Sequence, residues 1–203
     1  MNVRIGSMSL IALLAGLTTA TAGPAETVNF SRFGSVTVYR GSSTPRDVVL
    51  FLSGDGGWNL GVVSMAQTLV EQGAVVAGID IRHYLAQLEN SPDKCVSPDV
   101  DFENLSHYLQ AKIGIRQYLQ PTLVGYSSGA TLVYAILAES PDGLFKGALS
   151  IGFCPDLDLK KPVCRGDGIE STRRNNARGQ LQGVDFLPAR KLSGKWISLQ
   201  GQI

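Results

Sequence analysis

An α/β fold with a mostly parallel sheet is what this sequence predicts, and three observations carry the prediction. Residues 48–52 (VVLFL), 75–81 (VVAGIDI), 121–124 and 147–152 are short apolar runs of the kind that form strands covered on both faces. Between them, 60–72 and 102–113 place apolar residues at helical spacing, so strands and helices alternate in short steps. At residues 125–129 (GYSSG) one strand runs through a tight turn straight into an apolar helix, 130–138.

The start of the 203-residue chain differs from the rest. Residues 1–22 combine one positive charge (Arg4), an apolar stretch over 8–17 and the small-residue triplet Ala20-Thr21-Ala22. This is the pattern of a cleavable secretory signal peptide, whose apolar run is too short to span a bilayer stably. Residues 23–203 are then expected to form one domain with a sizeable core. Cleavage removes Arg4 from the 18 Lys+Arg and nothing from the 17 Asp+Glu, so the mature chain is formally neutral. No basic face for nucleic acid is implied. Export places Cys95, Cys154 and Cys164 where disulfides persist. Three cysteines cannot all pair within one chain, and Cys154 with Cys164 is one option, closing a short loop.

Each element has its own signal. Residues 33–39 (FGSVTVY) alternate Val36 and Val38 with polar neighbours, as a half-exposed strand near a sheet edge does. Residues 41–46 are a turn and 53–58 (SGDGGW) a glycine-rich loop. Leu60, Val63, Ala66, Leu69 and Val70 share one helix face, with Gly73 in the position of a C-terminal cap. Residues 88–98 are polar, proline-punctuated and read as loop. Phe102, Leu105, Leu109 and Ile113 mark a second helix, begun by Asp99 or Asp101 as N-cap. The stretch 154–192 is charged and rich in Gly, Asn and Arg, and reads as an excursion over the C-terminal edge of the sheet. Residues 196–199 (WISL) are the last strand.

The turn at 125–129 carries the chemistry. A serine at the tip of a strained strand-to-helix turn needs small neighbours two residues either side, and Gly125 and Gly129 supply them around Ser127. This is the nucleophile elbow, and it narrows the prediction to the α/β-hydrolase fold. The N–H of Ser128 opens the helix, where amide donors and the positive end of the dipole can hold an oxyanion. A second donor is expected from the loop after an early strand. Residues 53–58 fit, with the N–H of Asp55 as first choice and Gly56 as second, and with Gly54 and Gly57 letting the backbone turn.

A serine also needs a base, oriented by a carboxylate, and in this fold the chain order is Ser, acid, His. His83 and His107 both precede Ser127, so neither stands in the expected order. The acid is expected just past the 196–199 strand and the histidine further on, on a segment beyond Ile203. His107 reads as a solvated helix residue and Asp80 as a structural residue at a strand end. Lys160, Lys161, Arg165, Arg173, Arg174 and Arg178 could meet a phosphate headgroup, but Asp156, Asp158, Asp167 and Glu170 are interspersed, and the stretch reads as a solvated loop.

Leu52-Ser53-Gly54-Asp55-Gly56-Gly57-Trp58, Gly78-Ile79-Asp80, Gly125-Tyr126-Ser127-Ser128-Gly129-Ala130, Phe153-Cys154-Pro155 and Leu199-Gln200-Gly201 together resemble the VirJ/AcvB family of bacterial virulence proteins. These are periplasmic α/β-hydrolase-type domains of Gram-negative bacteria, and the resemblance runs from about Val48 to the end. It implies a periplasmic serine esterase with Ser127 as nucleophile, no cofactor and no metal. Its substrate would be the aminoacyl ester of lysyl- or alanyl-phosphatidylglycerol, or another ester, met at a membrane surface. The alternative is a non-catalytic periplasmic protein bound to type IV secretion components, or an inactive fragment.

Overall fold

The computed structural model describes residues 25–41, 44–164 and 168–201. The expected signal peptide, 1–22, lies outside the described residues. The chain runs β1 (Glu26–Phe30), a 3-10 turn (Ser31–Phe33), β2 (Gly34–Tyr39), β3 (Asp47–Leu52), α1 (Leu60–Glu71) and β4 (Ala74–Ile79). It continues through α2 (Ile81–Glu89), α3 (Pro98–Lys112), β5 (Thr122–Tyr126), α4 (Ser128–Glu139) and β6 (Gly147–Ile151). Three short strands follow, β7 (Asp156–Leu157), β8 (Ser171–Asn175) and β9 (Leu181–Phe186), before β10 (Lys195–Leu199).

Seven strands form one sheet in the order β1-β2-β4-β3-β5-β6-β10. β1 and β2 are an antiparallel hairpin joined antiparallel to β4, and the other pairings are parallel. The apolar run in β3 is read out on both faces. Leu50 and Leu52 enter a core shared with α2, α3 and α4, whereas Val49 and Phe51 enter a smaller one under α1, with Val62, Ala66 and Val70. β2 lies next to the edge strand β1 and alternates as expected, with Val36 and Val38 buried and Ser35 exposed. On the α1 side the β6–β10 flank is thinly covered: Ile197 and Leu199 are 58% and 51% exposed.

Four features depart from the sequence expectations. α2 occupies part of a stretch without a predicted helix. It buries Ile81, Tyr84, Leu85 and Leu88 at helical spacing, and Asp80 caps it by accepting from the N–H groups of Arg82 and His83. α3 is begun by Ser97 with Pro98 in its first turn, not by Asp99 or Asp101, which sit in the first turn where their charge suits the helix dipole. The 154–192 excursion is not irregular: β7, β9 and β8 make a small antiparallel sheet whose Leu157, Val184 and Phe186 are buried in the larger core. Within it the charge of Arg174 is satisfied, since Arg174 lies 2.6 Å from Asp158, 3.1 Å from Asp185 and 3.7 Å from Asp156.

The fourth departure is the disulfide. It joins Cys95 to Cys164, 69 residues apart, and leaves Cys154 as an exposed free thiol. Backbone pairing decides the partner: Val96 N–H donates to Pro162 O (3.0 Å) and Cys164 N–H to Val96 O (2.8 Å), which sets the two strands of chain side by side. The loop so closed is long, and loop-closure entropy for that span amounts to about 4 kcal/mol at most. Cys95→Ser is therefore expected to lower unfolding free energy by about 2–4 kcal/mol, while Cys154→Ser leaves it unchanged; denaturant melts of the two variants check this.

Candidate active site

Ser127 joins β5 to α4 with φ 54° and ψ −123°, a conformation that costs a non-glycine residue energy and persists only where its surroundings hold it. Its N–H donates to Ile151 O (2.9 Å), and its carbonyl accepts from Ala130 N (2.7 Å), so both neighbouring elements clamp it. The flanking glycines are required by contact. A Cβ on Gly125 would stand 2.1 Å from Gly129 O, and one on Gly129 would stand 2.4 Å from Ser53 O. The turn is thus pressed against the end of β3 with no room for a methyl group on either side.

The 53–58 loop lies against the same turn. An added Cβ on Gly54 would be 2.9 Å from the Ser127 Cβ. Gly54 to Gly57 form a tight turn closed by Gly57 N–H to Gly54 O (2.8 Å), with Gly57 at φ 77°. That bond engages the Gly57 amide. By contrast, among the described residues the N–H groups of Asp55, Gly56 and Ser128 have no acceptor, and the Ser127 hydroxyl has no hydrogen-bond partner. The Ser128 hydroxyl donates to Asp55 Oδ1 (2.5 Å), tying the head of α4 to the loop.

Two anchors hold the loop from behind. Trp58 packs edge-on against Phe51, its indole N–H donates to Tyr39 Oη (3.0 Å), and its ring fills the space that a Cβ on Gly78 would need. Asp80 accepts from Trp58 N–H (3.4 Å) and caps α2, so one carboxylate joins the loop to the next helix. Burial pushes the Asp80 carboxyl up, but the Arg82 side chain and the N–H groups of His83, Trp58 and Arg82 outweigh it and hold it below the ordinary carboxylate value. The Ser53 hydroxyl, fully buried, accepts from Ile81 N–H (3.1 Å) and ties the same strand end to α2.

Neither histidine reaches Ser127. The His83 ring lies against Gly34, where an added Cβ would be 2.5 Å from Nε2, at the start of β2. β2 is three strands from β5 in the sheet, about 14 Å at ordinary strand spacing. His107 is on α3, stacked on Tyr118 with ring centroids 4.2 Å apart and 3.9 Å from Glu103. Of the basic residues in the excursion, Arg174 is neutralised by aspartates, Lys161 donates to the Ser91 carbonyl and Arg165 lies outside the described residues. Among the described residues no three His, Cys, Asp or Glu side chains are gathered to hold a metal ion, and no helix is long and apolar enough to cross a membrane. β10 ends level with β5: Leu199 pairs with Ile151, which pairs with Tyr126, so Gln200 leaves the sheet at the edge where Ser127 stands.

Two outcomes follow from this packing. Gly129→Ala forces its methyl group into backbone oxygens that cannot move aside, and is expected to cost about 1–3 kcal/mol, read from a denaturant melt. Asp80→Ala removes the α2 cap and is expected to cost about 1–2 kcal/mol at neutral pH. The lowered Asp80 value means that its contribution is present above the unfolded-state value and lost as pH falls through the folded one, below about pH 4. The variant therefore has a flatter acid limb in a pH series of thermal melts.

Solved structures are similar to this chain at low identity. The Francisella virulence factor BioJ is 13% identical, over 63% of this chain and 43% of that one, with a TM-score of 0.47. Brefeldin A esterase, described as a bacterial homologue of human hormone-sensitive lipase, is 18% identical over 71% and 43%, TM-score 0.44. A carboxyl esterase from Bacillus coagulans is 17% identical over 62% and 43%, TM-score 0.45. The chain thus spans less than half the length of each of these proteins. No curated protein sequence matches it. The assignment to the α/β-hydrolase-type fold rests on this chain's own strand order and elbow. A family model described as bacterial virulence protein (VirJ) matches residues 46–147, half of the chain, running from the start of β3 through the 53–58 loop and the Ser127 elbow to the first residue of β6. The strands, loop and elbow that build this site are therefore those of a known family, and the chain belongs to the VirJ family of bacterial virulence proteins.

Proposed function

We propose that this protein is a periplasmic serine esterase that cleaves the aminoacyl ester of lysyl- or alanyl-phosphatidylglycerol. The observation that carries the reading is Ser127 at the tip of its positive-φ turn, beside backbone amides of Ser128 and Asp55 that have no acceptor among the described residues. The Ser127 oxygen attacks the aminoacyl carbonyl carbon, and the two amides hold the oxyanion that forms. Collapse of the tetrahedral intermediate releases the lipid hydroxyl, and water then frees the amino acid. Among the described residues neither His83 nor His107 is placed to take the serine proton. The Cys95–Cys164 disulfide supports an oxidising compartment.

The protein is expected to release free lysine or alanine from the corresponding lipid in mixed micelles, and Ser127→Ala to lower the rate by at least about a thousandfold. Equal rates for the two proteins, or no release by either, would overturn the esterase reading. A second reading, a non-catalytic partner of secretion components, is favoured by the distance of both histidines from Ser127. It expects complexes from a periplasmic pull-down to be retained in Ser127→Ala, and none to be recovered if it is wrong.

A further inference from the structure

Asp55 stands out among the residues of the elbow site. Its carboxylate is exposed, it is held by the Ser128 hydroxyl at 2.5 Å, and among the described residues it has no cationic partner. The neighbouring Arg82 is occupied with Asp80, at 3.4 Å. A Cβ added at Gly54, just before Asp55, would stand 2.9 Å from the Ser127 Cβ, and the hydrogen-bond donor to the Asp55 carboxylate is the residue after Ser127, so the carboxylate borders the Ser127 turn. A fixed negative charge there disfavours a developing negative charge unless a positive one stands between them. The side chain therefore works against acyl transfer on an uncharged ester and in favour of one that brings its own cation.

We infer that the Asp55 carboxylate is the binding group for the α-ammonium of an aminoacyl ester, which makes it a specificity-determining residue of the Ser127 site. In such an ester the ammonium is one carbon away from the carbonyl carbon. With that carbon at the Ser127 oxygen, an ammonium one carbon further along comes within reach of a carboxylate that borders the same turn. One residue then reads two features of the substrate: its N–H the carbonyl oxygen, its side chain the free amine. Esters in which the amine is acylated, or replaced by a hydroxyl, lose the second contact. This assignment rests on the proposed reading of Ser127 as nucleophile for the catalytic half, while the binding half can be measured without turnover.

The test uses the full chain carrying Ser127→Ala, which cannot form an acyl-enzyme, and titrates it calorimetrically with alanyl- and lactyl-phosphatidylglycerol in neutral detergent micelles. The two lipids differ only by ammonium against hydroxyl. The alanyl lipid is expected to bind about tenfold more tightly, an ordinary effect for a hydrogen bond to a charged group. The preference is expected to vanish when Asp55→Asn is added, and to fall as pH rises past about 8, where an α-amine loses its proton. Equal binding of the two lipids, no binding of either, or a preference that survives Asp55→Asn overturns the inference. If the preference is found as described while the unmodified chain fails to hydrolyse the alanyl lipid, the ammonium site stands and the esterase reading fails. Hydrolysis without the preference leaves the esterase reading standing and removes the ammonium site.

Discussion

The closeness of the Ser127 turn to the end of β3 is the constraint on which the rest of the site depends. Three missing side chains permit it: Gly125 against Gly129, Gly129 against the Ser53 carbonyl, and Gly54 against Ser127 itself. Because the first two of these contacts are backbone to backbone, the turn cannot relax toward an ordinary conformation without separating β5 from α4. The strain at φ 54° is thereby maintained by packing rather than by any hydrogen bond of the serine side chain. The same closeness brings the 53–58 loop beside the head of α4, so that two distant parts of the chain meet at Ser127.

Around this point the molecule is built to keep the loop still. Trp58 is wedged between Phe51 and Tyr39 over Gly78, and Asp80 and Ser53 tie the strand ends to α2. These are part-buried polar contacts in a layer otherwise made of aliphatic residues, and they leave the amides of Asp55, Gly56 and Ser128 without acceptors among the described residues. Asp55 and Gly56 are exposed and Ser128 is half-buried, so these amides are open to a ligand. The Asp55 carboxylate, held by the Ser128 hydroxyl, lies beside them.

The excursion between β6 and β10 is a different kind of structure. Its residues look like a solvated loop in sequence, yet the Leu157, Val184 and Phe186 side chains extend the core beyond α4, and Arg174 draws three aspartates into one cluster. A basic surface for phosphate does not emerge around Arg174, because its charge already has partners within the chain. The disulfide at Cys95 and Cys164 joins the near end of this excursion to the loop before α3, a connection between parts of the chain far apart in sequence.

Sequence alone determined the elements whose pattern is local. The apolar runs of β3, β4, β5 and β6, the spacing in α1 and α3, the glycine cap after α1 and the G-x-S-x-G turn are all consequences of nearest-neighbour chemistry, and the structure has them within a few residues. The family was legible too, because the 53–58 loop and the elbow are short segments under tight steric limits. The Asp80 cap followed by apolar residues at 81, 84, 85 and 88 could have revealed α2, but charged Arg82 and Glu89 obscured that face. Tertiary structure decided what depends on pairing at a distance: that β1 and not β2 forms the edge, that Cys164 meets Cys95 and not Cys154, that Arg174 is neutralised, and that His83 turns toward Gly34 and away from Ser127. The physical reason is the same in each case. Periodicity and turn chemistry act over a few residues, whereas strand order, disulfide partners and the neutralising of charge are set by which distant segments the packed core brings into contact.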